Sequence, residues 1–221
     1  METAVLLSGG PDSAVLAHDL VHRGGDVVAI HLELGVAESP AALRCATAVS
    51  AALGIDLVRL DLAPGGAREP RSGRSQGDAG RAAEPAFGEA LSVAASTAAT
   101  LGAHVLACGV HHGEAVFRGN QRHAFDALAA SVSIDVGRHL VITTPYLGMT
   151  KAEVLLRGVG LGVDVASTWS CTEGSTVHCG RCPSCATRRA AFGDAGLVDT
   201  TPYARAVAAG GGSRPGVHAR R

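Results

Sequence analysis

The chain has 221 residues, a length that fits one domain with at most a small appendage. Its formal net charge of −1 excludes a general electrostatic attraction to nucleic acid or to an anionic membrane surface. Because it shows neither a signal peptide nor an apolar run of membrane-spanning length, we expect a cytoplasmic protein without a membrane or nucleic-acid partner.

The first predicted element is a strand that leads into a glycine turn. Residues 4–7 form a short apolar run, and Pro11 marks the first turn of a helix. Two adjacent glycines between them let the backbone turn sharply and leave main-chain N–H groups open to a ligand. Such a turn at a helix N-terminus predicts an anion site for nucleotide phosphates, and the alternative is an ordinary turn capped by an Asp or Ser side chain. The site residues would be Ser8, Gly9, Gly10, Asp12 and Ser13.

The following segments alternate between helix and strand. Apolar spacing predicts a helix over 12–23, with Asp19 on its solvent side. Further strands are expected at 27–32, 55–62, 103–110 and 140–143, and further helices at 40–53, 86–101, 121–132 and 150–158. Thr150 is the expected N-cap of the last helix, with Glu153 three residues on. This rhythm predicts a doubly wound, mostly parallel α/β sheet, which binds ligands beyond the carboxyl ends of its strands.

Three stretches interrupt this pattern. Residues 63–85 are rich in Gly, Pro and Arg and predict a flexible surface loop, or alternatively a basic lid over an anionic ligand. His111, His112 and Glu114 follow a predicted strand, where they would face a substrate or belong to a solvated loop. The Ala-, Gly- and Arg-rich residues 204–221 predict a disordered tail.

Four of the six cysteines lie close together near the end of the chain. Two gaps of two residues let a tight turn aim successive thiolates at one point. In a reducing compartment this spacing predicts a closed, structural Zn²⁺ site, with an iron–sulfur cluster as the alternative. Cys45 is expected to be a core residue, and Cys108 either a buried or a catalytic thiol. The predicted ligands are Cys171, Cys179, Cys182 and Cys185.

The sequence from Ser8 to Ser13, Ser-Gly-Gly-Pro-Asp-Ser, resembles the PP-loop of the ATP pyrophosphatases. It lacks the Gly-Lys-Ser/Thr of a Walker loop and the third glycine of a dinucleotide fingerprint. The resemblance implies an α/β fold similar to the adenine nucleotide alpha hydrolases. It also implies that the loop binds ATP and that the α–β phosphate bond is broken.

Motifs near the C-terminus narrow the resemblance to the 7-cyano-7-deazaguanine synthases, and the likeness covers most of residues 3–203. The matching stretches are Thr168-Trp-Ser-Cys171, Cys179-Gly-Arg-Cys-Pro-Ser-Cys185, Arg188 to Gly196, and Thr144-Pro145 leading into Lys151 and Glu153. We therefore divide the chain into a PP-loop nucleotide-binding α/β domain over 1–165, a zinc-binding segment over 166–203, and the tail.

The resemblance implies a carbon–nitrogen ligase of the queuosine pathway. Such enzymes convert 7-carboxy-7-deazaguanine, ammonia and ATP into 7-cyano-7-deazaguanine, by adenylating and aminating the acid and then dehydrating the amide. Gly9, Gly10, Ser8 and Ser13 would hold the pyrophosphate, and Asp12 would orient it or its Mg²⁺. Lys151, the sole lysine, would offset charge on the phosphates or the acyl group, or would simply be a solvated helix lysine. A homodimer is the default expectation.

Two stretches depart from the family pattern. Gly-Gln-Arg-His after the second strand is here residues 35–38, Gly-Val-Ala-Glu, and Val-Pro-Gly-Arg-Asn before the long helix is residues 84–88, Glu-Pro-Ala-Phe-Gly. Both changes remove polar side chains from the region thought to hold the deazapurine and its carboxylate. The identity of the acid therefore does not carry over from the family. Arg118, Asn120 and Arg122 are candidates for replacement contacts with the substrate.

Three alternatives remain open from the sequence. A divergent paralogue would act on another acid or amide in a defence or natural-product cassette. A tRNA thiolation enzyme would need a reactive Cys108 and a basic face for RNA. A non-catalytic nucleotide-binding subunit would keep the fold after losing its substrate residues.

Overall fold

A computed structural model describes residues 2–63, 87–114, 116–117 and 121–204. Strands and helices alternate as the sequence predicts. The strands are β1 (Thr3–Leu6), β2 (Val27–Glu33), β3 (Leu57–Asp61), β4 (Val105–Ala107) and β5 (Val141–Thr143). The helices are α1 (Pro11–His22), α2 (Ser39–Leu53), α3 (Phe87–Thr100), α4 (Gln121–Val136), α5 (Lys151–Gly160) and α6 (Pro183–Asp194), with a 3₁₀ turn at Val165–Ser167 before α6.

The five strands form one parallel sheet in the order β3-β2-β1-β4-β5. The chain winds outward from β1 first to β2 and β3, and then returns to β4 on the other side of β1. The strand order therefore reverses beside β1, and in such sheets ligands bind at this switch point, beyond the carboxyl ends of the strands. Residues 8–13 begin there, so the sheet confirms the predicted fold class and places the glycine turn at its ligand-binding edge.

Helices cover both faces of the sheet, as a doubly wound fold requires. One core contains Val5 and Ala29 of the sheet and is covered by α1, α2, α5 and α6. The opposite core contains Ile30 and Leu106 and is covered by α3 and α4. Small residues permit close packing: a side chain at Gly158 of α5 would begin 2.5 Å from a methyl carbon of Val15 in α1. The alanine-rich sequence thus forms a dense core with few aromatic residues.

Some predicted boundaries were wrong. The strand expected over 103–110 is shorter in the structure. Only Val105–Ala107 pair with the two flanking strands, β1 and β5. Helix α6 was not predicted, since the cysteines dominated the interpretation of that segment. The capping box of Thr150 and Glu153 at the start of α5 is present as expected. The predicted loop over 63–85 lies outside the described residues except for Ala63, and the predicted tail lies outside them except for Ala204.

Asp19 was expected on the solvent side of α1, and this expectation was wrong. Its carboxylate is 3% exposed and bonds to the guanidinium groups of Arg23, at 3.0 and 3.1 Å, and of Arg157, at 2.6 and 3.1 Å. Burial alone would raise the pKa of Asp19, but the two arginines outweigh it and lower the pKa. The helical spacing of apolar residues predicted an exposed Asp19, because spacing within α1 carries no information about the packing of α5 on this face.

Replacing Asp19 with Asn is expected to destabilise the fold by about 3 kcal/mol, because it leaves two arginines facing a neutral amide. The contribution of Asp19 should be complete above the ordinary carboxyl pKa of about 4 and should disappear as the pH falls through the lowered pKa of the folded state. Urea unfolding of both proteins at several pH values measures this. A difference between them that stays constant down to the most acid pH would contradict the assignment.

Candidate functional site

The turn between β1 and α1 folds around hydroxyl groups and leaves the start of the helix free. Ser13 Oγ lies 3.0 Å from Ser8 Oγ, accepts from the Ser8 N–H at 3.2 Å and donates to the Gly10 carbonyl at 3.1 Å. The N-cap of α1 is Gly10, which provides no side-chain acceptor. The first N–H groups of α1 therefore lack a side-chain cap, which is the arrangement that binds anions at helix N-termini. The alternative of a turn capped by Asp12 or Ser13 does not describe this geometry.

Gly9 is required by both conformation and space. Its φ is +84°, in the region where side chains are strained, and an added Cβ would lie 2.2 Å from the Ala42 carbonyl oxygen. The Gly9 carbonyl in turn accepts from the Trp169 N–H at 2.8 Å. The turn is thus held between α2 and the segment after the 3₁₀ turn.

We expect Gly9→Ala to destabilise the protein by about 3 kcal/mol or to displace the turn, because a left-handed conformation and a backbone clash add together. Gly24→Ala is the matched control: Gly24 has a φ of +78°, and no atom lies within 4 Å of its added Cβ. The control should therefore cost only about 1 kcal/mol. Thermal unfolding of the two variants compares them, and equal losses would show that the contact with Ala42 does not constrain the turn.

Asp12 and Lys151 form an ion pair at the mouth of the turn. Lys151 Nζ lies 2.6 Å from Asp12 Oδ2, and the two side chains are 17% and 13% exposed. The other oxygen, Asp12 Oδ1, is buried and has no hydrogen-bond partner. An unpartnered buried carboxylate oxygen is costly, and it is a ligand type that Mg²⁺ accepts. Asp12 therefore fits a Mg²⁺ ion carried by a bound nucleotide, and Lys151 is not a solvated helix lysine.

A polar cleft of about 450 Å³ lies over these residues. Three helices begin at its wall: α1 at Pro11, α5 at Lys151 and α6 at Pro183. Each N-terminus carries a partial positive charge, so the three together favour a multiply charged anion in the cleft. The cleft is lined by Ser8, Gly10, Pro11, Asp12, His111, Gly113, Glu114, Lys151, Trp169, Ser170, Pro183, Ser184 and Thr187.

The structure adds cleft residues that the sequence analysis did not assign. Trp169 and Ser170 come from the segment between the 3₁₀ turn and the cysteines, while Ser184 and Thr187 come from the first turns of α6. Gly109, after β4, lies under the start of α1, where a Cβ would be 2.9 Å from the Asp12 carbonyl carbon. The motif Thr168-Trp-Ser-Cys171 was a signal for the first pair, but nothing local indicated the others.

The four predicted cysteine ligands converge. The sulfur atoms of Cys171, Cys179, Cys182 and Cys185 all lie within 4.8 Å of one another, and all four side chains are buried. A tetrahedral site with Zn–S bonds of about 2.3 Å needs sulfurs about 3.8 Å apart, so small shifts complete it. Within the described part of the chain this is the one group of three or more such side chains that can hold a metal.

Backbone N–H groups surround these sulfurs and favour the thiolate form that binds metal. Cys171 Sγ accepts from two N–H groups at 3.4 and 3.5 Å, Cys179 Sγ from two at 3.3 and 3.4 Å, and Cys182 Sγ from one at 3.4 Å. Burial by itself raises the pKa of the Cys182 thiol, but hydrogen bonds to its sulfur lower it to about 6. Burial raises the pKa of the Cys171 and Cys185 thiols, so these two would lose their protons on binding the metal. The site thus fits Zn²⁺ in its chemistry as well as its geometry.

Arg188 connects the cysteine cluster to the cleft wall. This α6 side chain is fully buried and donates to Thr168 Oγ1 at 3.0 Å, to Ser170 Oγ at 3.1 Å and to the Val165 carbonyl. His178 Nε2 accepts from the Ser170 N–H at 3.1 Å. The segment that carries the cysteines therefore positions Ser170, which lines the cleft.

The other candidate residues have different outcomes. Cys108 is 1% exposed, and burial raises the pKa of its thiol to about 12, so it is not a reactive thiolate. His111 and Glu114 lie in the cleft wall, where His111 Nδ1 bonds to the His112 carbonyl at 2.7 Å. Arg122 is exposed at the start of α4 and does not line the cleft. Arg118 and Asn120 lie outside the described residues.

Within the described residues, none of the helices combines the length and the apolar character needed to cross a bilayer.

Comparison with known proteins identifies the family of the chain. The family model described as "Queuosine biosynthesis protein QueC" matches residues 89–196. A 7-cyano-7-deazaguanine synthase of Methanoregula boonei is 33% identical over 92% of this chain and 99% of its own length. The synthase of Methylobacillus flagellatus is 35% identical over 92% of this chain and 96% of its own. The synthase of Methanoculleus marisnigri is 32% identical over 93% of this chain and 100% of its own. The chain belongs to the 7-cyano-7-deazaguanine synthase family.

Proposed function

We propose that this protein is an ATP-dependent carbon–nitrogen ligase that converts 7-carboxy-7-deazaguanine and ammonia into 7-cyano-7-deazaguanine, a step toward queuosine. The observation that carries the proposal is the cleft over residues 8–13, where the uncapped start of α1 lies beside the Asp12–Lys151 pair. Family membership supports a role in the queuosine pathway, and the volume and polar lining of the cleft are consistent with a bound triphosphate.

The proposed chemistry overcomes the poor reactivity of a carboxylate. A carboxylate oxygen attacks the α-phosphorus of ATP, the α–β bond breaks and pyrophosphate leaves, which gives an acyl adenylate. Ammonia adds to the acyl carbon and AMP leaves, so that an amide and a proton form. The amide oxygen then attacks the α-phosphorus of a second ATP, pyrophosphate leaves and the nitrogen loses one proton, which gives an O-adenylated imidate. Loss of AMP and of the remaining N–H proton yields the nitrile.

The residues of the cleft have separate roles in this proposal. The N–H groups at Gly9 and Gly10 and the hydroxyls of Ser8 and Ser13 would hold the phosphates by hydrogen bonds. The Gly10 N–H, which donates to Ser8 Oγ at 3.3 Å, and the Ser13 hydroxyl, which donates to the Gly10 carbonyl, would exchange these bonds for bonds to phosphate oxygens. Lys151 offsets the charge that grows on the oxygens around the α-phosphorus. Asp12 orients Lys151 through Oδ2 and would hold Mg²⁺ through Oδ1, and the ion would supply charge neutralisation for the phosphates.

The cysteine cluster has a structural role in this proposal. Four thiolates leave no coordination position for a substrate, so Zn²⁺ held by them would act on the fold and not on the reaction. Its effect would reach the cleft through Arg188 and Ser170, which α6 and the cysteine segment bring together.

The test is an assay with the purified, zinc-loaded protein, ATP·Mg²⁺, ammonium and 7-carboxy-7-deazaguanine. Mass spectrometry should detect 7-cyano-7-deazaguanine together with AMP and pyrophosphate, and omission of any one substrate should abolish the nitrile. ATP turnover that ignores this acid would redirect the assignment to a paralogue that acts on another acid or amide. Absence of ATP binding would refute it and favour a non-catalytic role.

The burial and raised pKa of Cys108 speak against the thiolation alternative, because sulfur transfer needs an accessible thiolate. Cys108→Ala should therefore leave nitrile formation within about twofold of the parent protein, which the same assay measures.

A further inference from the structure

A second, largely apolar pocket lies beside the phosphate-binding turn. This slot, of about 380 Å³, opens over the carboxyl ends of β1 and β2, between α2 and α3. Its walls are mostly aliphatic or aromatic, with Leu6, Leu32, Val36 and Phe87 among them. Ser8 lines both this slot and the polar cleft, so the two cavities meet at the start of the turn.

His31 is a polar side chain in this apolar lining, and one of its ring nitrogens is unused. The side chain is 2% exposed, and Nδ1 lies 2.8 Å from the Leu7 carbonyl oxygen. Because a carbonyl can only accept, Nδ1 carries the proton, and in the neutral ring Nε2 is a bare acceptor. Nε2 is buried and has no hydrogen-bond partner. The bond from Nδ1 to the Leu7 carbonyl fixes the ring, and the His31 side chain lines the slot.

A buried acceptor without a donor costs about 1–3 kcal/mol, so such an atom in a pocket wall is expected to meet a donor on a ligand. The apolar walls favour a flat aromatic group, since they cannot solvate charge. A molecule that carries both a flat base and phosphates would fill the slot and the cleft together through their shared wall at Ser8. An aromatic base with an exocyclic amino group has the chemistry that Nε2 requires.

We propose that His31 Nε2 accepts a hydrogen bond from the 6-amino group of the adenine of ATP and selects this base in the slot. The inference rests on the proposed binding of ATP. It assigns His31 as a specificity-determining residue and the wall of the slot around His31 to the base of the nucleotide.

The test compares ATP with purine riboside triphosphate, which lacks the 6-amino group, by calorimetric titration of the zinc-loaded protein. The parent protein should bind ATP about tenfold more tightly than this analogue, which corresponds to one hydrogen bond. In His31→Asn the amide N–H₂ can still donate to the Leu7 carbonyl, but the acceptor in the slot is lost. This variant should bind the two nucleotides equally and ATP about tenfold more weakly than the parent.

His139→Asn is the matched control, because His139 is exposed just before β5, at the opposite edge of the sheet. It should keep the preference for ATP. Thermal unfolding checks that His31→Asn is folded; if it is not, the comparison of the two nucleotides on the parent protein decides alone.

Equal affinity of the parent protein for both nucleotides would overturn this inference and leave the proposed function intact. A loss of 7-carboxy-7-deazaguanine binding in His31→Asn, with the preference for ATP unchanged, would also overturn it. Failure of the parent protein to bind either nucleotide would defeat the inference and the proposed function together.

Discussion

Cys185→Ser is expected to release the bound Zn²⁺ and to lower the midpoint of thermal unfolding by at least about 10 °C. A serine hydroxyl is a poor replacement for a thiolate ligand. Only three buried cysteine sulfurs would remain at a site that needs four ligands. Because α6 and Ser170 depend on this segment, ATP binding should weaken as well. Elemental analysis of the purified variant measures the metal, and calorimetry measures the unfolding.

Cys45→Ser is the control for this prediction. Cys45 packs against the same cluster from α2, but it is not among the four converging sulfurs. This variant should keep one zinc per chain and unfold close to the parent protein. Iron in place of zinc in the parent would instead identify an iron–sulfur cluster, and full zinc retention by Cys185→Ser would contradict the ligand assignment.

Lys151→Met is expected to lower kcat by about 10²–10³-fold, because it removes the ammonium group of the sole lysine, which lies over the proposed phosphate-binding turn. The substitution keeps most of the length of the side chain and removes its charge. It also leaves Asp12 without its cation, so nucleotide affinity should fall too. Initial rates of AMP and nitrile formation at saturating ATP measure kcat, and circular dichroism confirms the fold.

Arg59→Met serves as the comparison, since it breaks another ion pair between distant segments, with Glu33 at 3.5 Å and Arg59 52% exposed. That pair joins β3 to β2 and does not line the cleft, so kcat should change by less than about twofold. A Lys151→Met protein with near-normal kcat would remove Lys151 from the proposed mechanism.

Local sequence patterns correctly predicted those features of the fold that depend on residues close together in the chain. The alternation of apolar runs and helical spacing predicted the parallel sheet, and the two-residue gaps between cysteines predicted a cluster whose sulfurs do converge. Thr150 and Glu153, three residues apart, predicted the start of α5 correctly. The glycine turn was placed correctly as well, because a strand followed by Gly-Gly-Pro allows little else.

Contacts between distant segments escaped the sequence analysis. Asp12 and Lys151 are separated by 139 positions, and no periodicity indicates that they meet. The burial of Asp19 depends on Arg157, 138 positions away, which comes from α5, the helix packed against α1. The missing partner of His31 Nε2 likewise becomes apparent only in the fold, where Nδ1 bonds to the Leu7 carbonyl. The site residues that tertiary packing assembles could therefore not be read from spacing.

The position of Trp169 makes the protein its own optical probe. It is the single tryptophan of the chain, its indole N–H bonds to the Cys171 carbonyl at 2.7 Å, and its ring lies 4.4 Å from that of His178. Its backbone N–H is bonded to the glycine turn. Fluorescence emission from this one indole therefore reports on both the cysteine cluster and the glycine turn. The effect of an added chelator or nucleotide can be followed in the same cuvette without any label.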